Sequence, residues 1–310
     1  MTKLAATTFH AGRILTESDL ESFKECCPIC HFTGFRQPTL KLQTEPLVSL
    51  LKCPICKGIS ASRMPTQAAL TNYYAKYYDR YSSELITFSH PERLAKRIVK
   101  HTSFLSTIDT ISILDFGGGD GTIAKLIAEQ LISYRPETHV KIVVVDYGSH
   151  RCNVNNAQIS IRHIEDLNQL EGFFDVIVAS ASLEHIPAFR QTFDRLLDHA
   201  SERAIFYART PYMTPIAQLF PIDMTYPAHV HDIGAQTWQW LSSNAKQKIS
   251  PLKSRPSIIE TTLSTNAIRT FIAFALKAPA SMMAAVGLPA FWPFYGGWEV
   301  IWRIHGSHRA

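Results

Sequence analysis

From residue 111 onward the chain settles into a repeating pattern. Short apolar runs at 111–115, 141–146, 159–163, 174–180 and 204–208 are separated by amphipathic stretches at 122–132 and 188–199. The runs lack polar alternation, so each predicts a strand buried on both faces, while the stretches between them have helical period. Strands alternating with helices build a parallel sheet covered on both sides. Such an open α/β sheet holds its ligand outside the carboxyl ends of its strands. Upstream, Pro65-Thr66 predicts a helix through Tyr78 with Thr66 as N-cap; Tyr73, Tyr74, Tyr77 and Tyr78 give it an aromatic face that reads as core packing. A second helix is predicted from Ser89-His90-Pro91. Its Leu94, Ala95, Ile98, Val99 and Leu105 point inward, and Arg93, Lys96, Arg97 and Lys100 face water. After Arg209 the pattern loosens. It predicts a short helix around Trp238 and Leu241, one or two strands within 247–262, an apolar helix or helix pair at 265–286 broken near Pro279, and a last strand at 299–304. Phe291, Trp292, Phe294, Tyr295, Trp298 and Trp302 are expected to pack the end of the sheet.

Composition agrees with a folded chain. Of 310 residues, 46% are hydrophobic and 18% charged, enough for a real core in one large domain with a small appendage. The net charge of +5 is spread too thinly to demand nucleic acid. The first ~20 residues lack the apolar core of a signal peptide and read as a loosely held arm. Residues 278–298 carry no charge and are long enough to cross a bilayer, but three prolines and three glycines interrupt them, so no membrane span is predicted.

Six cysteines change the picture, because five fall within the first 56 residues. Cys27-Pro28-Ile29-Cys30 and Cys53-Pro54-Ile55-Cys56 are two C-x-x-C knuckles separated by residues 31–52. Each turn aims two thiolates at one ion, and two of them complete a tetrahedral S4 set, the pattern of structural Zn2+ with no open position for catalysis. Cys26 and His31 flank the first knuckle as second choices, and Gly58 suits a ribbon turn. Clustered thiols of this kind point to a reducing compartment, hence a cytoplasmic location.

At the first strand-to-helix junction stands Asp115-Phe116-Gly117-Gly118-Gly119-Asp120-Gly121. Glycines there let a ligand approach the main chain, and the helix that follows adds partial positive charge. A dinucleotide loop would want a third glycine where Thr122 stands. The form present resembles motif I of the class I S-adenosylmethionine-dependent methyltransferases, and further motifs follow in order. Val143-Val144-Val145-Asp146 is similar to that family's second strand, Arg162-His163-Ile164-Glu165-Asp166-Leu167 to its Gly-Asp-Ala-Glu-Asp-Leu, and Phe173 through Ile186 to its fourth strand and loop. The resemblance covers 111–208 well and the rest loosely.

It implies a Rossmann-like, seven-stranded, mostly parallel sheet behind an N-terminal zinc ribbon. Its parts would be an arm and ribbon at 1–64, a helical connector at 65–108 and the S-adenosylmethionine domain at 109–310. It also implies a cofactor site of Asp115, Gly117, Gly118, Gly119, Gly121, Asp146, Tyr147, His163, Ile164, Glu165, Asp166 and Ser180. Asp146 would bind both ribose hydroxyls. His163 departs from the family's acid, so the adenine contact would pass to the backbone at Ile164, to Glu165 or to Asp166. The ribbon, Pro65, Leu70, Tyr73, Tyr74 and the His229-Val230-His231-Asp232-Ile233 element with Trp238 and Leu241 resemble a bacterial group that modifies sugars, polysaccharide precursors or other natural products.

Methyl transfer needs the acceptor aligned and often deprotonated. His185 after the fourth strand, His229 and His231 after the fifth, and Tyr212 are the candidate catalytic residues. The expected reaction is methyl transfer to a small-molecule acceptor, and a homodimer is allowed. Two alternatives stand beside it: an RNA methyltransferase that grips RNA with its ribbon, and a non-catalytic ribbon protein with a vestigial cofactor site. RNA binding would want a basic patch, and the ribbon offers only Arg36, Lys41, Lys52, Lys57 and Arg63. Ribosomal-RNA guanine methyltransferases with an N-terminal zinc site also differ, having Cys-x-x-x-His as the second ligand pair.

Overall fold

The computed structural model describes residues 4–5, 12–80, 91–103, 105, 108–148, 150–257, 267–286, 292, 294 and 296–305, with backbone alone at 4–5, 76–80, 267, 269, 270 and 273. Among them the elements run β1 (Leu4–Ala5), β2 (Gln37–Gln43), β3 (Val48–Lys52), β4 (Ile59–Ala61), α1 (Gln67–Arg80), α2 (Pro91–Val99), β5 (Thr110–Phe116), α3 (Thr122–Tyr134), β6 (His139–Val145), β7 (Ile159–Ile164), β8 (Phe174–Ser180), α4 (Phe189–Asp198), β9 (Ala200–Tyr212), α5 (Thr214–Ala217), β10 (Ile222–Asp223), β11 (His231–Asp232), α6 (Ala235–Ser243), β12 (Lys248–Pro256), α7 (Ala267–Ala285) and β13 (Gly296–His305).

The apolar runs become one sheet of seven strands, ordered β12-β13-β9-β8-β5-β6-β7. Pairings among β5 to β9 are parallel, and β13 runs antiparallel between β9 and β12. Unbroken apolar strands fit this sheet because both faces are covered. Val176 and Val178 of β8 join one core with Ile98, Ile113 and Ile127, whereas Ile177 and Ala179 join the other with Phe193, Trp238 and Trp302. The chain leaves β5 outward to β6 and β7, then returns to β8 on the other side. That reversal opens a crevice at the carboxyl end of β5, where such sheets bind ligands.

The ribbon is a second sheet, ordered β11-β4-β3-β2. Its fourth strand is borrowed from far along the chain, with His231 opposite Ser60 and Asp232 opposite Ile59. Both knuckles are built alike. His31 N–H donates to the Cys27 carbonyl and Lys57 N–H to that of Cys53, and each of these residues has a positive φ. Cys27, Ile29, Cys53 and Cys56 are buried in the core that holds Trp238. A Cβ at Gly58 would lie 2.5 Å from Ile29 Cδ1, so a larger residue there would have to displace the buried Ile29 side chain.

Four expectations change. Residues 12–20 are no loose arm: Leu15 and Leu20 are buried with Val48, Met64 and Tyr226, and Gln43 bonds both the amide and the carbonyl of Leu15. Two leucines in a polar run give no periodic signal, which is why the pattern missed them. The helix α7 runs unbroken through Pro279. Proline forfeits one helical bond, but Trp292 Nε1 donates to the Leu276 carbonyl nearby, and buried Lys277 and Ala280 anchor the flanks. Arg97 does not face water: it pairs with Glu299, which is 0% exposed and also holds Arg255 at 2.7 Å. Finally, β9 extends past both ends of its apolar run. Tyr77 and Tyr78 side chains, Ser89, His90, Phe291 and Tyr295 lie outside the described residues, whereas Trp298 and Trp302 do pack the sheet.

No helix among the described residues is long and apolar enough to cross a membrane.

Candidate functional site

The crevice is built from three loops. From β5 comes Asp115, 1% exposed, whose carboxyl is pushed up to about 7 by burial and then by nearby Asp146. Gly117 follows with φ of 68°, and a Cβ on it would lie 2.4 Å from Ser182 Cβ. A Cβ on Gly118 would lie 2.4 Å from Asp115 Cγ. Neither position tolerates a side chain, so the loop stays open on its outer side while packing tightly on its inner side. Asp120 closes the turn by accepting from Thr122 N–H at 2.9 Å and Oγ1 at 2.8 Å. Gly121 then leads into α3.

From β6 comes Asp146. Its carboxylate accepts from Gly119 N–H at 2.9 Å and Gly148 N–H at 2.8 Å, which ties the second loop to the first. Tyr147 beside it is 69% exposed. From β7 come the residues at the departure from the family pattern. His163 is half-buried, within 3.6 Å of where a Gly121 Cβ would be, and burial followed by Arg151 lowers its pKa. Ile164 is buried, and its carbonyl accepts from Asp146 N–H at 3.0 Å. Asp166 is occupied locally, capping a single helical turn through Asn168 N–H at 2.8 Å. Glu165 is exposed.

Several buried polar atoms around this loop lack a partner among the described residues: Asp115 Oδ2, His163 Nδ1, Ser180 Oγ and Ser182 Oγ. Buried polar groups are nearly always bonded. Orphans gathered at a strand-end crevice fit a polar cofactor that supplies the missing bonds.

Beyond β8 the chain makes a single turn at Leu183–His185. His185 Nδ1 lies 2.9 Å from the Ala228 carbonyl and 3.0 Å from Tyr74 Oη. A proton on Nδ1 therefore donates to Ala228. Burial pushes the imidazole down to about 4 against the pull of the Ala228 and Ala181 backbone, so the ring is neutral at pH 7. The His229 ring stands 4.8 Å from it. Behind them Glu184 is 1% exposed and burial pushes its carboxyl up to about 8.

His231 is placed differently. Its Nδ1 meets Ser60 Oγ and its Nε2 the Ile186 carbonyl, both at 2.9 Å, and it is 1% exposed. Both nitrogens are spent on joining ribbon to core. Tyr212 ends β9 and packs over Gly234, where a Cβ would come within 2.8 Å of the ring. Tyr74 packs its ring edge-on to Tyr73, and the fold also brings its hydroxyl to His185.

Among the described residues, two clusters have metal-type ligands. In the ribbon, Cys27 and Cys56 sulfurs are 3.7 Å apart and those of Cys30 and Cys53 3.5 Å. Disulfides would need about 2.05 Å. Tetrahedral zinc with bonds of about 2.3 Å sets sulfurs about 3.8 Å apart, so these four cysteines fit zinc. Glu184, His185 and His229 fit poorly by the same measure. His185 Nε2 lies 3.8 Å from Glu184 Oε1, wider than the about 3.0–3.4 Å spacing that bonds of about 2.1 Å allow.

A parallel sheet reversing at β5, a glycine loop under Asp115 and an acid ending the next strand define an S-adenosylmethionine-dependent methyltransferase of class I architecture. The chain belongs to the family described as "Methyltransferase domain", whose profile matches residues 86–259. It is 28% identical over 142 residues to the malonyl-[acyl-carrier protein] O-methyltransferase of Bacillus anthracis, covering 42% of this chain and 46% of that protein, so it matches about half the relative's length. Among solved structures it is similar to the plantazolicin methyltransferase BpumL with a triazolic desmethylPZN analog and SAH: 16% identity, 76% and 90% of the two chains covered, TM-score 0.43. It is also similar to coclaurine N-methyltransferase with N-methylheliamine and SAH: 12% identity, 68% and 70% covered, TM-score 0.40.

Proposed function

We propose that this chain methylates a small-molecule acceptor of the natural-product or sugar class, with His229 taking the acceptor's proton and His185 and Tyr74 holding the acceptor in line. The observation that carries this reading is the meeting of Tyr74, His185 and His229 at the carboxyl end of β8. The same turn touches the glycine loop, since Ser182 lies against Gly117. S-adenosylmethionine, when bound, supplies a methyl group on a positively charged sulfur. Asp146 and the backbone at Gly117, Gly119 and Ile164 are proposed to hold it, with Tyr147 and Ser180 at its margins. His185 is held neutral and its Nδ1 is engaged, so it suits hydrogen bonding more than proton uptake. His229, half-buried beside it, is proposed as the base. His231 and Tyr212 are proposed to position the loop between β9 and α6 rather than touch the acceptor. The Bacillus anthracis relative acts, by its name, on malonyl-[acyl-carrier protein].

The ribbon's charges count against RNA. Of its five cations, Arg36 is 5% exposed and Arg63 is tied to Glu17 at 2.7 Å. Methyl-labelled S-adenosylmethionine incubated with the protein and a fractionated cell extract should deliver label to the low-molecular-weight fraction. Label in RNA would overturn the acceptor class. With a labelled acceptor in hand, His229→Asn should cut turnover about 10²-fold or more with cofactor affinity retained, in the range of general-base losses.

A further inference from the structure

A cavity of about 250 Å³ opens on the seam between ribbon and core, lined by none of the proposed methyl-transfer residues. Its walls come from the first knuckle and the segment before it, from the end of β4, and from the start of α4 at Pro187, Ala188, Arg190 and Gln191. Two independent features of this cavity favour negative charge.

The first is Arg36. Only 5% of it is exposed, yet its Nη1 has no hydrogen-bond partner among the described residues. Nη2 donates to the Lys24 carbonyl at 2.8 Å, and the guanidinium lies 6.0 Å from the Phe23 ring centre. Among the described residues no carboxylate stands within ion-pair reach of it. A buried guanidinium without a counter-charge is costly, and Arg cannot relieve the cost by losing its proton. The second is α4, ten residues long, whose N-cap Ala188 has no side-chain capping bond. Arg190 N–H in its first turn donates to the Pro28 carbonyl at 3.3 Å, and the helix end keeps its partial positive charge. Lys24, Arg190 and Glu21 also line the cavity. The carboxylates near them are engaged, with Glu21 pairing with Lys24 at 2.7 Å and Asp194 with Arg190 at 2.8 Å.

We infer that this cavity is an oxyanion site, built to take a phosphoryl or carboxylate group between Arg36 of the ribbon and the amino end of α4. The occupant would join two parts of the molecule that are otherwise linked by β11 and the knuckle packing. Because Pro187 and Ala188 follow His185 by two and three residues, the site borders the proposed methyl-transfer loop without sharing its residues. A ligand with an anionic tail could be anchored there. The inference does not depend on the acceptor or on methyl transfer.

Calorimetric titration of the full, zinc-loaded chain with inorganic phosphate, at constant ionic strength against sodium chloride, tests it, and a parallel titration with acetate separates phosphoryl from carboxylate preference. One site per chain is expected for at least one of the two anions. Binding should weaken at least tenfold in Arg36→Gln. Ala188→Glu places a carboxylate at an exposed helix start and should also weaken binding at least tenfold in a folded protein, which keeps the test decisive if Arg36→Gln fails to fold. No binding of either anion, or equal binding in wild type and Ala188→Glu, overturns the site.

Discussion

Single side chains decide how the crevice is lined. Asp115 and His163 hold unpartnered atoms toward the loop, and Gly118 is fixed by the 2.4 Å that separates its missing Cβ from Asp115. Gly118→Ala must therefore move a buried carboxyl or a backbone turn. It should destabilise by about 1–3 kcal/mol, as overpacking does, and weaken cofactor binding; a denaturant melt and a binding isotherm measure both. His231 allows a pH test. Burial, the largest cause, pushes its pKa down to about 4 from 6.5. The unfolded chain takes up this proton first, so the stability it confers is complete above about pH 6.5 and is lost as pH falls toward 4. The shift corresponds to an upper limit of roughly 3 kcal/mol. The stability gap between wild type and His231→Asn should shrink over that window, and a gap constant from pH 7 to 4.5 would contradict the assignment. Tyr74→Phe keeps the ring and loses the 3.0 Å contact to His185. A fall in turnover without loss of stability would separate positioning from packing.

Elements carry the sequence's message unevenly. The strands at 111–115, 141–146, 159–163 and 174–180 are legible because burial on both faces leaves no polar alternation. The knuckles are legible because their spacing is chemical. Illegible are contacts made across the chain: β11 joining β4, Tyr74 reaching His185, and Arg97 bound to Glu299. Each has a bland local pattern, a two-residue strand, an aromatic helix face and a basic helix face, and only tertiary placement gives it a role. Pro279 shows the converse, since a strong local signal yields to anchoring by Lys277, Ala280 and Trp292. The borrowed strand β11 couples ribbon to site. His229 lies two residues before it, and His231 clamps Ser60 to Ile186. Removing zinc with a strong chelator, or Cys53→Ser, should therefore abolish turnover as well as ribbon structure; near-normal turnover in the metal-free protein would show that the two are independent.

At the scale of the whole molecule, one sheet separates two cores. The α2–α3 side supports the glycine loop from beneath, and the α4–α6 side carries the ribbon. The crevice opens where the strand order reverses, and the turn after β8 carries His185 beside it. The family assignment accounts for the crevice, and the ribbon fixes the geometry beside it. This arrangement stands or falls on the cofactor. Calorimetric titration with S-adenosylhomocysteine is the most direct test, comparing the folded, zinc-loaded protein with Asp146→Ala. The account predicts one site per chain in the wild type and affinity at least tenfold weaker in the variant, a loss of about 1.4 kcal/mol or more. Absence of binding to the folded wild-type protein, or equal affinity in the two, would contradict it.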